Sequence, residues 1–195
     1  MIIDHKIYFD NLNNALKRVT ASKSNGQELI LKSAFEKTIK MILKARDSGN
    51  KLVFVGNGAS AAISSHMAVD FWKNAGVKAT AFNDSSLLTC LSNDVGYQYV
   101  FEKPIEMFVN QGDVLIAISS SGQSENIIRG ANMAKIKKAK VITLSGFKKN
   151  NPLRKLGDVN FYVPFSGYGI VEPVHHSICH FLVDSIAKKN GQIQN

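Results

Sequence analysis

The 195-residue sequence predicts an α/β fold: a five-stranded parallel sheet with helices on both faces, a three-layer sandwich, preceded by an N-terminal helical hairpin. Three observations carry this. Five short apolar runs, KLVFVG, VKATAF, DVLIAIS, KVITLSG and NFYVPF, recur from Lys51 onward. The segments between them are long enough for crossover helices, the signature of βαβ units whose sheet is covered on both sides. Residues 1–50 instead carry apolar side chains three or four positions apart, which is helical periodicity.

The hairpin comes first. Ile7, Leu12, Leu16 and Val19 form one stripe, and Leu29, Leu31, Ala34, Ile39, Ile42 and Leu43 a second, with SKSNGQE reading as the turn between them. Such stripes need cover from the sheet or from another subunit. The first strand then breaks on FVGNGASAAISSH, where Gly56, Gly58 and Ala61 satisfy the loose dinucleotide pattern G-x-G-x-x-G/A. With Ser60 as N-cap, the next helix is expected over 61–74, placing His66 and Asp70 one turn apart on one face. The last helix is expected to open in EPVHHSICHFLVDSIA, with Glu172 at the cap and Pro173 at the first helical position. Together these give one domain over 1–195, with its α/β core at 51–190.

Composition narrows the function. With 45% hydrophobic and 20% charged residues the chain reads as an ordinary soluble domain. No apolar run reaches the roughly 18–20 residues of a membrane span, and the start has no secretory pattern, so the cytoplasm is expected and a membrane partner is not. Cys90 and Cys179 lie in apolar segments and are expected to be buried thiols, without the C-x-x-C spacing of a zinc or redox motif. A net charge of +9 suggests anionic ligands or an acidic partner. The runs KIKKAK and FKKNN read as solvated surface, and no basic stretch is interleaved with aromatics, so nucleic acid is not an expected partner.

Ligands of a parallel sheet bind beyond the carboxyl ends of its strands. There the sequence offers GNGAS, NDSS, SSSGQS, SGFKKN and SGYG. The third loop carries Ser119, Ser120, Ser121 and Ser124 around Gly122, directly before a helix. It forms a neutral cradle of O–H and N–H donors suited to a phosphate monoester. A helix cap explains one of these serines and leaves three. No Gly-Lys-Ser/Thr follows, which argues against a nucleoside triphosphate. A dinucleotide would want a ribose-binding acid, and Asp84 is available at a slightly long spacing. His66 and Asp70 gain weight from the last helix, where Glu172, His175, His176 and His180 cluster. Glu172 and His180, eight residues apart, are about two turns apart. His66, Asp70, Glu172 and His180 form a plausible N/O site for zinc or another divalent ion, against the alternative of a histidine-bearing surface helix. His175 and His176 fit a supporting or interface role equally well.

At these residues the chain resembles the sugar isomerase (SIS) domain and, within it, the phosphoheptose isomerase family. The similarity rests on G-N-G-x-S with a histidine ten residues after its first glycine, S-N-D-x-G-Y, D-V-L-I-x-I-S-x-S-G-x-S, V-I-T-L-S-G and the final helix. The resemblance implies a homotetramer with active sites between subunits, built partly from the N-terminal helices. It implies conversion of sedoheptulose 7-phosphate to D-glycero-D-manno-heptose 7-phosphate through an enediol, the entry to the heptoses of bacterial lipopolysaccharide and capsule. It assigns substrate contacts to Asn57, Gly58, Ala59, Ser60, Asp70, Asn93, Asp94, Ser119, Ser120, Ser121, Ser124 and Glu172. Zinc falls to His66, Asp70, Glu172 and His180, proton abstraction to Asp70 and the partner acid to His180. Three positions depart from the family. Asp70 replaces a usual glutamate, a retreat on the order of 1.5 Å that can cost about a hundredfold in rate. Glu172 replaces a usual glutamine and adds a negative charge. Ala59 replaces a common glycine. A non-catalytic SIS protein that senses a sugar phosphate or docks on a partner is the alternative; a nicotinamide enzyme has only the loose glycine pattern.

Overall fold

A computed structural model describes residues 3–189 and 191. Within them, α1 (His5–Lys17), β1 (Thr20–Ser22), β2 (Glu28–Leu29) and α2 (Leu31–Asp47) precede the alternating part. The latter comprises β3 (Leu52–Gly56), α3 (Ala59–Ala75), β4 (Ala79–Ala81), α4 (Ser85–Asp94), α5 (Glu102–Phe108), β5 (Val114–Ser119), α6 (Glu125–Ile136), β6 (Lys140–Ser145), β7 (Val159–Tyr162) and α7 (Tyr168–Lys189). The sheet order is β2-β1-β7-β6-β5-β3-β4. Strands β3 to β7 are all parallel, as the sequence predicts.

The expected count of five strands is corrected to seven. The supposed turn between the N-terminal helices is itself a β-hairpin, whose strand β1 pairs antiparallel with β7. Its signal is local: Lys23 to Gln27 connect the strands, with Ser24-Asn25-Gly26 at the tip and Gly26 at φ 84°, a conformation glycine adopts without strain. Val19 and Leu29, counted above with the helical stripes, belong to this hairpin region instead. With only three and two residues, these strands are too short to establish a period of two.

Alternation along the central strands fills both faces. Leu52, Phe54, Ile116, Ile118, Ile142 and Leu144 pack with Ile63, Met67 and Phe71 of α3, Val174, Ile178 and Leu182 of α7 and Ile42 of α2. Val53, Val55, Leu115, Ala117 and Val141 face the other way, onto Phe101, Ile105, Ile127 and Ala131 from the α5–α6 side. Among the described residues, no helix is long and apolar enough to cross a membrane.

Two departures in the helices bear on the site. Helix α3 begins at Ala59, with Gly58 at its cap and no side-chain cap bond, so Ser60 is not spent as a cap. Helix α7 begins at Tyr168, five residues before the expected first helical position, and carries Pro173 inside it. A proline lacks the N–H that would bond the carbonyl four residues earlier, here Gly169. The Tyr8 hydroxyl of α1 donates to that carbonyl at 2.7 Å. A partner from another helix therefore offsets the interruption, and sequence periodicity has no access to it.

The amino ends of the parallel strands are tied by buried polar knots. Asp113, 2% exposed just before β5, accepts from the Lys51 and Asn110 backbone N–H groups at 3.0 and 2.9 Å, from Asn50 Nδ2 at 3.0 Å and from the Lys51 ammonium. Burial alone would raise its pKa, but these hydrogen bonds outweigh that and hold the carboxyl below the ordinary range. Asn160, fully buried on β7, accepts from Thr143 Oγ1 at 2.6 Å and donates to the Ser22 carbonyl at 3.1 Å, joining β6 to β1. Replacing Asp113 with Asn is expected to cost about 3 kcal/mol at pH 7, the low end for a broken buried pair because Lys51 keeps some solvent. A urea titration measures this. The folded pKa lies below the unfolded one, so the carboxylate's contribution is complete above roughly pH 4 and is lost as pH falls through the folded value. The difference between wild type and variant should shrink accordingly in acid.

Candidate active site

At the carboxyl end of the sheet, Asn57, Ser60, Ile118, Ser119, Ser120, Ser121, Ser124, Tyr168 and Glu172 line a pocket of about 120 Å³. That is well below the roughly 300–1,000 Å³ of cofactor-sized clefts, and suits one phosphate group. Helix α6 starts directly after the loop, aiming the positive end of its dipole at this region. Ser124 sits at the cap position but makes no cap bond; its hydroxyl lies 3.3 Å from that of Ser119. Ser120, 5% exposed, has a buried hydroxyl with no hydrogen-bond partner. An unmade buried hydrogen bond costs about 1–3 kcal/mol, so the pocket is built for a polar ligand. Asn57 is fixed by a reciprocal amide pair with Asn126, at 3.0 and 2.9 Å, and by the Tyr97 hydroxyl at 3.0 Å. Glu172 enters from α7, and burial raises its carboxyl pKa.

Gly56 is needed for this geometry. A Cβ there would stand 2.4 Å from the Ser60 carbonyl oxygen, so only glycine lets α3 fold back this tightly over the strand end. The ribose candidate Asp84 is already committed. It caps α4, accepting from Ser86 and Leu87 N–H at 2.9 and 3.0 Å, which removes the acid a dinucleotide would need.

Farther along α3 and α7, His66, His176 and His180 each offer a ring nitrogen, all within 4.8 Å of one another. His66 Nδ1 is 3.1 Å from His176 Nε2. Two nitrogens each about 2.0–2.1 Å from one tetrahedral ion lie roughly 3.3 Å apart, so the His66–His176 spacing fits, while the group of three is held only to within 4.8 Å. Asp70, with 16% of its side chain exposed, places Oδ2 3.5 Å from His66 Nε2 and 3.9 Å from His180 Nδ1. Burial lowers the His176 pKa, the nearby His180 and His66 rings lower it further, and Asp70 opposes both. The ring is therefore neutral at neutral pH, the form that ligates metals. Neighbouring His175 is fully buried, and burial depresses its pKa to about 4, with the Ser145 backbone pulling weakly the other way. Neither of its ring nitrogens has a partner of good geometry.

Residues 7–146 match the SIS domain family. The chain is 36% identical over 163 residues to the phosphoheptose isomerase of Tolumonas auensis, covering 80% of this chain and 84% of that protein. It is 34% identical over 186 residues to the Sodalis glossinidius phosphoheptose isomerase, covering 92% and 94%. The chain belongs to the phosphoheptose isomerase family of SIS-domain proteins. Among solved structures, the Neisseria gonorrhoeae phosphoheptose isomerase superposes with a TM-score of 0.81 at 27% identity, covering 93% of this chain and 96% of that one.

Set beside the residues expected from the family resemblance, the structure brings most of them to two adjoining places. Asn57, Ser60, the four serines and Glu172 line the pocket, while His66, Asp70 and His180 form the cluster with His176. In the close nitrogen group His176 stands beside His66 and His180, and Glu172 lies in the serine pocket. Gly58 and Ala59 are exposed at the α3 start. Asn93 and Asp94 end α4, also exposed, bonded to each other at 2.9 Å and not among the pocket's lining. Cys90 is exposed, contrary to expectation, with its thiol toward Asp94 at 3.3 Å; Cys179 is buried. Sequence reasoning missed Tyr97, Asn126 and Tyr168 as parts of the pocket's frame. Tyr97 had a signal within the S-N-D-x-G-Y pattern and Tyr168 within the SGYG loop, whereas Asn126 had none.

His176→Ala and His180→Ala are each expected to weaken binding of a divalent cation at least as much as the roughly 10–100-fold lost on removing an outer partner of a ligand. Equilibrium dialysis with cobalt(II) or zinc(II) measures this. An unchanged affinity in His176→Ala would return the ligand set to His66, Asp70, Glu172 and His180.

Proposed function

We propose that the protein is an aldose–ketose isomerase that converts sedoheptulose 7-phosphate to D-glycero-D-manno-heptose 7-phosphate in bacterial surface heptose biosynthesis. The observation that carries this reading is the spacing along α7. Glu172, His176 and His180 recur every four residues, one face of the helix running from the serine pocket to the imidazole cluster. A sugar phosphate held by its phosphate among Ser119, Ser120, Ser121 and Ser124 then extends its C1–C2 end toward Asp70 and His180.

The chemistry follows from these side chains. Asp70 takes the proton from C1 of the ketose while His180 protonates the C2 oxygen, giving an enediol. Asp70 then delivers a proton to C2 as the O1 proton returns to His180, leaving the aldehyde at C1. Phosphate anchorage converts this into a positioned, effectively intramolecular transfer. His66, Asp70 and His180, with His176 or Glu172, would hold zinc, which when bound polarises the C1 and C2 oxygens.

The same reading makes the whole chain one SIS domain acting in the cytoplasm as a homotetramer, with residues 1–50 contributing to packing between subunits. Exposed apolar side chains on α1, among them Ile7 and Phe9, and Trp72 on α3 support an assembly that covers them.

Incubation of zinc-loaded protein with sedoheptulose 7-phosphate, followed by NMR, is expected to yield the heptose 7-phosphate. Asp70→Asn should lower kcat by at least a hundredfold with a much smaller change in KM, and chelation should abolish turnover. Binding of the sugar phosphate without turnover by the metal-loaded wild type would favour a sugar-phosphate sensor instead.

A further inference from the structure

A second pocket, sharing no lining residue with the serine pocket, opens between the β1–β2 hairpin and the segment that follows β6. Its volume is about 640 Å³, within the range of metabolite sites. Lys149, Arg154 and Lys155 line it with a single acid, Glu28, whose carboxylate is 3.7 Å from Lys149 Nζ. The FKKNN run, read from sequence as solvated surface, thus contributes a wall of this pocket.

Arg154 is the unusual member. Its guanidinium lies 4.4 Å over the Tyr162 ring, donates to the Lys149 carbonyl and reaches Ser22 Oγ at 3.4 Å. Its Nε is buried without a hydrogen-bond partner, and among the described residues no carboxylate lies within ion-pair distance of it. Glu28 acts on it only from beyond ion-pair distance, and a half-buried charge with no ion pair in contact and an incomplete set of hydrogen bonds is costly unless an anion completes it. The planar guanidinium suits phosphate oxygens, and flanking ammonium groups add point charges.

We propose that this pocket is a second anion site, distinct from the catalytic one, that takes the phosphate group of a small metabolite. It adjoins the serine loop through the backbone. Asn151, also in the pocket, donates to Ser145 Oγ at 3.1 Å and to the Lys148 carbonyl at 2.9 Å. It packs so closely on Gly122 that a Cβ there would stand 2.1 Å from Asn151 Oδ1. Leu153 N–H donates to the Gly122 carbonyl at 3.1 Å, and Gly146 N–H to that of Ser120 at 2.9 Å. One loop therefore serves as the wall of the second pocket and the backing of the first.

Isothermal titration of the full-length protein with inorganic phosphate, glucose 6-phosphate and ADP, each alone, tests this without reference to turnover. The three arms separate a free phosphate, a sugar phosphate and a nucleotide as the source of the group. Two sites per chain are expected for at least one probe. Ser121→Ala/Ser124→Ala should weaken one of them, and Lys149→Ala/Lys155→Ala the other by at least about tenfold, the low end for the loss of charge-assisted contacts. Both lysines are exposed, so the second variant should keep its circular-dichroism melting curve. One site per chain with all three probes, or a second site indifferent to the lysine substitutions, would overturn the proposal.

Discussion

Helix α7 lies against α3 because both must bury apolar stripes on the same face of the parallel sheet, and the active-site geometry depends on that contact. Ile63, Met67 and Phe71 of α3 meet the same core as Val174, Ile178 and Leu182 of α7. With those faces turned inward, His66 and Asp70 on one helix and His176 and His180 on the other are left beside each other at the seam. The cluster is thus held by hydrophobic packing. Polar contacts among its members refine an arrangement that burial has already imposed.

The two ends of the sheet are treated differently. At the amino ends, Asp113 and Asn160 satisfy several backbone and side-chain groups each. At the carboxyl ends, Ser120 keeps an unpartnered hydroxyl and the serine loop leaves its donors facing a cavity. Unsatisfied polar groups are where a folded chain retains interaction energy for something other than itself.

Much of this was legible in the sequence. The five parallel strands announced themselves as apolar runs, and the serine loop as more hydroxyls than a cap can use. His66 and Asp70 followed from helical spacing. The remainder turns on tertiary partners that local pattern does not encode. The early start of α7 is accommodated by the Tyr8 hydroxyl, which donates to the Gly169 carbonyl that Pro173 leaves without an intrahelical donor. His176 joins its neighbours only because α3 and α7 pack side by side, and Glu172 falls in the serine pocket because the helix begins a turn sooner than its proline suggests. The β1–β2 hairpin was masked by strands too short to show alternation, although Asn25-Gly26 marked its turn.

A helix that reaches both the serine pocket and the imidazole cluster also measures the distance between them. Glu172, His176 and His180 mark off steps of about 6 Å along α7. Such a gauge is graduated coarsely, in the three- and four-residue steps that keep a side chain on one face. Finer adjustment falls to side-chain length, where one methylene moves a group by roughly 1.5 Å. The backbone of the helix therefore sets the coarse separation of the two places, whereas fine adjustment remains with the groups it displays.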